Sequence, residues 1–382
     1  MSDKIWLSSP HIGHEELSFV KNAFDTNWIA PTGPAITGFE KDLESYLGHE
    51  THVTALSSGT AAIHLSLLVL GIQKGDEVIC QSLTFVATAN PILYLGAKPV
   101  FVDSERDTYN MSPEFLEIAI LDRMSKGFKP KAIIVVHLYG NPAKIVEIME
   151  IAKCYEIPVI EDAAEALGSS YNNQPLGTFG DLGILSFNGN KIITTSGGGA
   201  LISKNKEWIE KAYFYATQSR DNEHYYQHSE IGYNYRMSNI CAAIGRGQMK
   251  VLNKRIAQRR ANFYFYKEKL KEFKTIHFIE DKNPNVFSNH WLSVAILNGI
   301  DPDSIRIKLQ GFNIESRFFW KPMHLQPLFK KYQFYGDGTS EDLFERGICL
   351  PSSSSLTPEQ KNFVVESLEG ILKEEDIISL KV

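Results

Sequence analysis

Lys191 stands between two short apolar runs, Gly183-Ile184-Leu185-Ser186-Phe187 before it and Ala200-Leu201-Ile202-Ser203 after it. The residues around it are small, polar and turn-forming: Asn188-Gly189-Asn190 on one side and Thr194-Thr195-Ser196-Gly197-Gly198-Gly199 on the other. That composition predicts two strands joined by a turn segment. A lysine held in such a pocket can give up its proton and attack a carbonyl, which is Schiff-base chemistry. Taken alone, the same lysine is equally a solvated turn residue, so its companions decide.

Three other segments supply them. Ser57-Ser58-Gly59-Thr60-Ala61-Ala62 opens an apolar helix that runs through Leu70. The first N–H groups of a helix have no partner within it and lie at the positive end of its dipole. Gly59 permits close approach and the Ser58 and Thr60 hydroxyls add donors, so a phosphate is the natural guest; an ordinary helix cap is the plain alternative. Asp162, in Glu161-Asp162-Ala163-Ala164-Glu165-Ala166-Leu167-Gly168, follows the apolar Pro158-Val159-Ile160. A buried carboxylate is costly without a cationic partner. A protonated pyridine nitrogen would be one, and the carboxylate would in turn keep the ring protonated and electron-accepting; a capping aspartate is the alternative. Phe85, in Leu83-Thr84-Phe85-Val86-Ala87, offers a face for stacking on a heterocycle or for core packing. A phosphate cradle, a ring stacker, a carboxylate for a ring nitrogen and an amine for an aldehyde together describe one cofactor, pyridoxal 5'-phosphate.

The elements that must position these groups alternate over residues 76 to 203. Strands are expected at Glu77–Cys80, Lys98–Val102, Ala132–Val136 and Pro158–Ile160, with helices at 84–95, from Pro113 (opened by Ser112) and at 142–155. This repetition predicts an α/β fold with a mostly parallel sheet covered by helices on both faces. Ligands of such sheets gather outside the carboxyl ends of the strands, where Asp103, His137, Asp162 and the Ser186–Lys191 segment fall. A helical tract follows at Ser238–Lys271. Beyond it come strands at His290–Leu297 and Ile314–Phe318 and helices at Pro302–Leu309 and Pro358–Lys373, read as a smaller α+β domain. The expected division is 1–250, a large cofactor-binding domain, and 251–382, a small C-terminal one.

A chain of 382 residues suits a large domain with a smaller companion. With 43% hydrophobic and 22% charged residues it reads as a globular enzyme. A net charge of -6 with no basic block argues against nucleic-acid binding. The polar start, Met1-Ser2-Asp3-Lys4, does not resemble a signal peptide, and the apolar stretch from Ile63 to Leu70 is too short to span a membrane. Cys80, Cys154, Cys241 and Cys349 lack metal-ligand spacing, so no metal is expected; they read as buried thiols of a reducing cytoplasm.

Several segments together resemble the DegT/DnrJ/EryC1 group of sugar aminotransferases: Asn27-Trp28-Ile29-Ala30-Pro31-Thr32-Gly33-Pro34, Ser57–Ala62, Glu161–Gly168, Ser186–Gly199, Gly232-Tyr233-Asn234-Tyr235-Arg236-Met237-Ser238-Asn239 and Trp320-Lys321-Pro322-Met323-His324. The likeness runs from about Trp6 to the C-terminal region. It implies the type I aminotransferase fold. It implies Lys191 as the residue bonded to the cofactor aldehyde, Asp162 at the pyridine nitrogen and Phe85 on the ring. Ser58, Gly59, Thr60 and Ser186 would hold the phosphate. Asn234 would reach the phosphate of a neighbouring subunit, making the sites of a homodimer shared. Glu165 would lie near the ring's phenolic oxygen, where many members carry glutamine; two anions there would repel, so Glu165 is either protonated or turned away. Relatives that dehydrate sugars carry histidine in place of the lysine, so Lys191 favours transamination.

The resemblance further implies L-glutamate as amino donor, pyridoxamine 5'-phosphate as the intermediate form of the cofactor, and a nucleotide-linked 4-keto-6-deoxy sugar as acceptor. Asn190–Gly199 and Glu161–Gly168 look most like the enzymes that make UDP-N-acetylbacillosamine. Asn27, Trp28, Ile29, Ala30 and Asn190 would line the sugar pocket with Trp320, Lys321, Met323 and His324. A GDP- or dTDP-keto-sugar aminotransferase and a non-catalytic, cofactor-binding regulator are the other readings.

Overall fold

Short β-branched runs become neighbours in an eight-stranded sheet. Its order is His52–Leu56, Gly199–Ser203, Leu182–Ser186, Val159–Asp162, Ala132–Val136, Glu77–Gln81, Lys98–Val102 and Phe334–Tyr335. From Leu182–Ser186 onward every pairing is parallel; the two pairings of Gly199–Ser203 are antiparallel. The computed structural model describes residues 3–48, 50–279 and 283–379, so Met1 and Ser2 of the polar start lie outside it. The expectation of a mostly parallel sheet flanked by helices holds.

The middle strands are buried throughout, and their side chains alternate between two cores. Ile79, Ile133 and Val135 face one, against Leu116 and Ile148 of the helices Pro113–Ser125 and Ile145–Cys154. Val78, Cys80 and Ile134 face the other, against Ala62 and Leu65 of the helix Gly59–Val69. The period of two along a strand, with helices on both sides, explains why these strands are continuous apolar runs.

A second, antiparallel sheet runs Ile276–Phe278, Ser293–Leu297, Gly347–Leu350, Arg317–Phe318. Its Ala295 and Leu350 pack with Tyr266 of the helix Leu252–Lys269, Ile305 of Pro302–Gly311 and Leu368 of Pro358–Ser379. The N-terminal segment belongs to this packing too, through Ile5 and its bridge to Ile314.

Several expected elements are shorter or broken. Residues 84–95 are not one helix: a 3-10 turn at Val86–Thr88 is followed by the helix Asn90–Tyr94, with Pro91 in its first turn, where proline belongs. The tract 238–271 divides into Asn239–Met249 and Leu252–Lys269, with Val251 in a non-helical conformation between them. His290 takes a positive φ of 47°, so that strand starts at Ser293 rather than His290. The 314–318 strand shrinks to Arg317–Phe318. Of the four thiols only Cys80 and Cys349 are buried; Cys154, last in its helix, is exposed and Cys241 half-buried. No helix among the described residues is long and apolar enough to cross a membrane.

Asp103 and His137, two of the polar residues at strand ends, serve the frame. Buried Asp103 accepts the N–H groups of Asp337, Gly338, Thr339 and Ser340, anchoring the start of the helix Thr339–Arg346. His137 accepts the Ala143 N–H at Nδ1, which leaves Nε2 as the donor to Glu161, 2.9 Å away.

Candidate active site

Ser186 and Gly199 are the last paired residues of adjacent antiparallel strands, so Lys191 sits in the connection between them. Inside that connection Phe187 donates its N–H to Gly198 O, Thr195 donates to Phe187 O and Lys191 to Asn188 O. The backbone is thereby closed on itself at the carboxyl edge of the sheet. Asp162 lies at the same edge, since its strand runs parallel to Leu182–Ser186 with Asp162 opposite Ile184.

The Lys191 side chain is 13% exposed, and its Nζ lies 3.4 Å from Glu165 Oε1. The same Nζ is 4.2 Å from the centre of the Trp291 ring. Glu165 is buried and accepts the Tyr139 N–H at 2.7 Å through Oε2. It is therefore not turned away from Lys191. Burial pushes the Glu165 carboxyl above its ordinary value; Lys191 and the Tyr139 N–H oppose that rise, and the Asp162 charge adds to it. The folded protein thus keeps this proton at a pH where the unfolded chain has lost it. Stability contributed at this site falls as pH climbs from the ordinary value through the raised one, and is untouched below both. Glu165→Gln removes that loss. Its melting temperature should equal the native protein's in acid, gain on it as pH climbs from the ordinary carboxyl value through the raised one, and keep that lead above both; a pH-independent difference in thermal unfolding would contradict this.

Asp162 is 5% exposed. Its Oδ2 accepts the Thr88 hydroxyl at 2.7 Å, and the Thr84 and Thr88 hydroxyls meet at 2.8 Å. Its Oδ1 accepts the Ala164 N–H at 3.2 Å. The neighbouring carboxylate, Glu161, projects to the opposite face, where the N–H groups of Gly177, Phe179 and Gly180 and the His137 ring satisfy it. Strand alternation thus separates a structural carboxylate from one at the site.

The helix Gly59–Val69 begins beside them. Ser58 Oγ accepts the Ala61 N–H and Ser58 O the Ala62 N–H. Accepting at Oγ leaves the Ser58 O–H as a donor, and among the described residues the Gly59 and Thr60 N–H groups have no backbone partner in the first turn. A Cβ on Gly59 would meet the Ser186 Cβ at 3.3 Å, and one on Gly199 would collide with Gly59 N at 2.4 Å. The helix start, the end of the Ser186 strand and the exit of the Lys191 connection thus converge, and only glycine permits it.

Phe85 is 56% exposed, so it is not a core residue; its ring meets Trp320 edge-on at 6.2 Å. Both line a cavity of 470 Å³ with Lys321 and Met323. Met323 itself is 2% exposed and packs into the main core. His324 bonds Ser82 Oγ through Nδ1 at 2.7 Å and Glu341 through Nε2 at 2.9 Å, and stacks on Phe334. Both ring nitrogens are thus occupied by protein, and the residue holds the Trp320–His324 segment on the sheet. Asn27–Ala30 is fastened elsewhere: Asn239 Nδ2 donates to Trp28 O and Asn239 N to Ala30 O, with Trp28 and Ile29 exposed. Asn234 pairs with Thr217 in an exposed segment that also carries Tyr225, Tyr226 and Ile231. Asn190 contributes its carbonyl, which accepts Ser8 Oγ at 2.6 Å and Trp291 Nε1 at 2.7 Å. Thr88, Tyr139 and Trp291 also stand at the site, outside the residues expected there. A Thr-x-x-x-Thr spacing was visible for the first; nothing local marked the other two.

The donors fit pyridoxal 5'-phosphate: unpaired N–H groups beside Ser186 for a phosphate, a carboxylate for a ring nitrogen, an amine for an aldehyde and an open aromatic face. Their placement at the carboxyl edge of a mainly parallel sheet is that of a vitamin B6-dependent enzyme with an aminotransferase fold. A family model described as the DegT/DnrJ/EryC1/StrS aminotransferase family matches residues 10–369. The chain belongs to that family and is a pyridoxal phosphate-dependent sugar aminotransferase. The non-catalytic alternative is thereby set aside. It is 50% identical over 96% of both chains to a Bacillus subtilis protein named "Putative pyridoxal phosphate-dependent aminotransferase EpsN". It is 38% identical to the GDP-perosamine synthase of Escherichia coli O157:H7, over 94% of this chain and 96% of that one. The crystal structure of a DegT DnrJ EryC1 StrS aminotransferase from Brucella abortus superposes with a TM-score of 0.87 at 31% identity, over 93% of this chain and 95% of that one.

Proposed function

We propose that the enzyme moves an amino group from L-glutamate to C4 of UDP-2-acetamido-2,6-dideoxy-4-keto-hexose, giving UDP-N-acetylbacillosamine or its epimer. The observation that carries amino transfer is the Lys191 amine, mostly buried and within reach of both the Glu165 carboxyl and the Trp291 ring. The bound cofactor supplies an electron sink for the bond broken at the donor's α-carbon. Lys191 would take the proton from that carbon and deliver it to the cofactor carbon in the same half of the cycle, and would run the transfer in reverse on the keto sugar, general acid–base catalysis by a positioned amine. Asp162, oriented by Thr88 and the Ala164 N–H, holds the proton on the ring nitrogen. Ser58, Gly59, Thr60 and Ser186 would hold the phosphate, and Phe85 would cover the ring.

The UDP sugar is supported by the Glu161–Gly168 and Asn190–Gly199 segments. A GDP-linked 4-keto-6-deoxy sugar is the second reading, favoured by the 38% identity to a GDP-perosamine synthase. The enzyme, loaded as pyridoxamine 5'-phosphate and offered a panel of UDP-, GDP- and dTDP-keto sugars, should regain its yellow colour fastest with the UDP acetamido sugar. Fastest recovery with the GDP sugar would replace the first reading with the second.

The working unit proposed is a homodimer with shared sites, in the cytoplasm, where four free thiols are at home. Residues 1–250 would carry the cofactor and 251–382 form the smaller domain, with two exchanges: Phe334–Tyr335 joins the large sheet and Ile5 packs with the smaller unit. In the dimer Asn234 reaches the partner's phosphate. Mixed Asn234→Ala and Lys191→Ala subunits should therefore recover about a quarter of native activity through hybrid dimers with one intact site. Activity no greater than the sum of the separate variants would contradict the sharing.

A further inference from the structure

We infer that Trp291 is the positioning residue of Lys191: its indole face is the seat the lysine amine takes whenever it is not bonded to the cofactor. The inference rests on Lys191 being the cofactor lysine. Trp291 is 1% exposed, and burial alone would make it an ordinary core aromatic. Two contacts go beyond packing. Its Nε1 donates to Asn190 O at 2.7 Å, the carbonyl of the peptide that leads into Lys191. Its ring centre lies 4.2 Å from the Nζ at the other end of the same side chain. One indole thus grips the lysine by its backbone and by its amine.

The grip is itself braced. Trp291 N donates to Asn289 Oδ1 at 2.8 Å, while Asn289 Nδ2 donates to Glu165 O at 3.0 Å. Arg259, buried, donates to Trp291 O at 2.5 Å and to Ser8 Oγ at 2.9 Å. Ser8 Oγ in turn bonds Asn190 O. The segment 289–291 therefore references Glu165 and Lys191 to one frame.

The physical reason is the length of the lysine stem. Four methylenes let a released amine wander, yet proton transfer needs it within hydrogen-bond reach of one carbon. An ammonium is attracted to the negative face of an indole, and more strongly where water is excluded. The face therefore holds the protonated amine beside the hydrogen bond it donates to Glu165 Oε1 and adds no directional bond of its own. Glu165 Oε1, 3.4 Å from Nζ, is the amine's second neighbour.

Trp291→Phe keeps an aromatic face, whereas Trp291→Met fills the volume without one. Two readouts separate positioning from general damage. In the pyridoxamine 5'-phosphate form, where the lysine amine is free, acylation by acetic anhydride is followed at the Lys191 peptide by mass spectrometry. It should be about threefold or more faster in Trp291→Met than in the native enzyme and close to native in Trp291→Phe. In single turnovers with glutamate, Trp291→Met should lose about tenfold in rate with its glutamate KM within about twofold of native; Trp291→Phe should lose less than about threefold. Equal losses in both variants, or native labelling in Trp291→Met, would overturn the inference. Should Trp291→Met not fold, Trp291→Phe still decides: a tenfold loss or fast labelling there refutes the role of the face. A native enzyme that takes no amine from glutamate, or whose Lys191→Ala variant still does so, points instead to failure of the underlying reading.

Discussion

Lys191→Ala is expected to lower amino transfer to a keto sugar by about ten-thousand-fold and to leave the purified protein colourless. The substitution removes both the covalent tether and the group that shuttles the proton, and acid–base assistance alone contributes on the order of a hundred- to ten-thousand-fold. The fold should survive. The connection around Lys191 is closed by backbone bonds of Phe187, Thr195 and Gly198 and by contacts to the Asn190 carbonyl, none of which uses the lysine side chain. Removing the amine also takes a cation from beside Glu165, whose carboxyl burial already pushes upward, so the variant should keep that carboxyl protonated to a higher pH. Activity measured with a nucleotide keto sugar and glutamate, alongside the visible spectrum, checks both. A yellow and active Lys191→Ala protein would contradict the assignment.

The second large effect belongs to Asp162. Asp162→Asn keeps the size of the side chain and one oxygen for the Thr88 hydroxyl or the Ala164 N–H, but loses the charge. An amide cannot hold a proton on a ring nitrogen as a carboxylate does, so the electron sink weakens while the pocket keeps its shape. A loss of about a hundred- to a thousandfold in the single-turnover rate with glutamate is expected, similar to removal of one preorganised electrostatic group in other active sites. Thermal unfolding should change little, because the asparagine oxygen can still accept the Ala164 N–H while its NH2 donates to the Thr88 hydroxyl oxygen. Thr88→Val, which removes the donor to Oδ2, should show the same kind of loss at about a tenth of the size, read in the same single-turnover assay. A native rate in Asp162→Asn would show that the carboxylate is a cap and nothing more.

What was legible in the sequence follows from how local each signal is. Lys191, Asp162, Gly59 and Ser186 were visible because each sits at a strand end or helix start, and those positions declare themselves through adjacent apolar runs and turn residues. The parallel sheet was visible for the same reason: strands buried on both faces read as uninterrupted apolar segments. Trp291 was hidden because its partner Asn190 is 101 positions away, and a tryptophan inside an apolar run looks like core. Thr88 was hidden by the expectation of a single helix over 84–95, which would have pointed it along a helix face rather than from a 3-10 turn toward Asp162. His324 looked like a pocket residue until Ser82 and Glu341 were seen to occupy its two nitrogens, one of them across 242 positions. The edge strand Phe334–Tyr335 has two residues, too few for any period to show. Glu165 is the instructive intermediate case. The problem of two neighbouring anions was readable; that the carboxyl is buried, is pushed toward keeping its proton and lies beside Lys191 needed the packing.

The most direct test of the whole account is chemical trapping. Native enzyme reconstituted with pyridoxal 5'-phosphate is reduced with borohydride, digested and analysed by mass spectrometry. The cofactor mass should appear on the peptide containing Lys191 and on no other lysine peptide. Its appearance elsewhere, or an enzyme that takes up no cofactor to be trapped, would contradict the account.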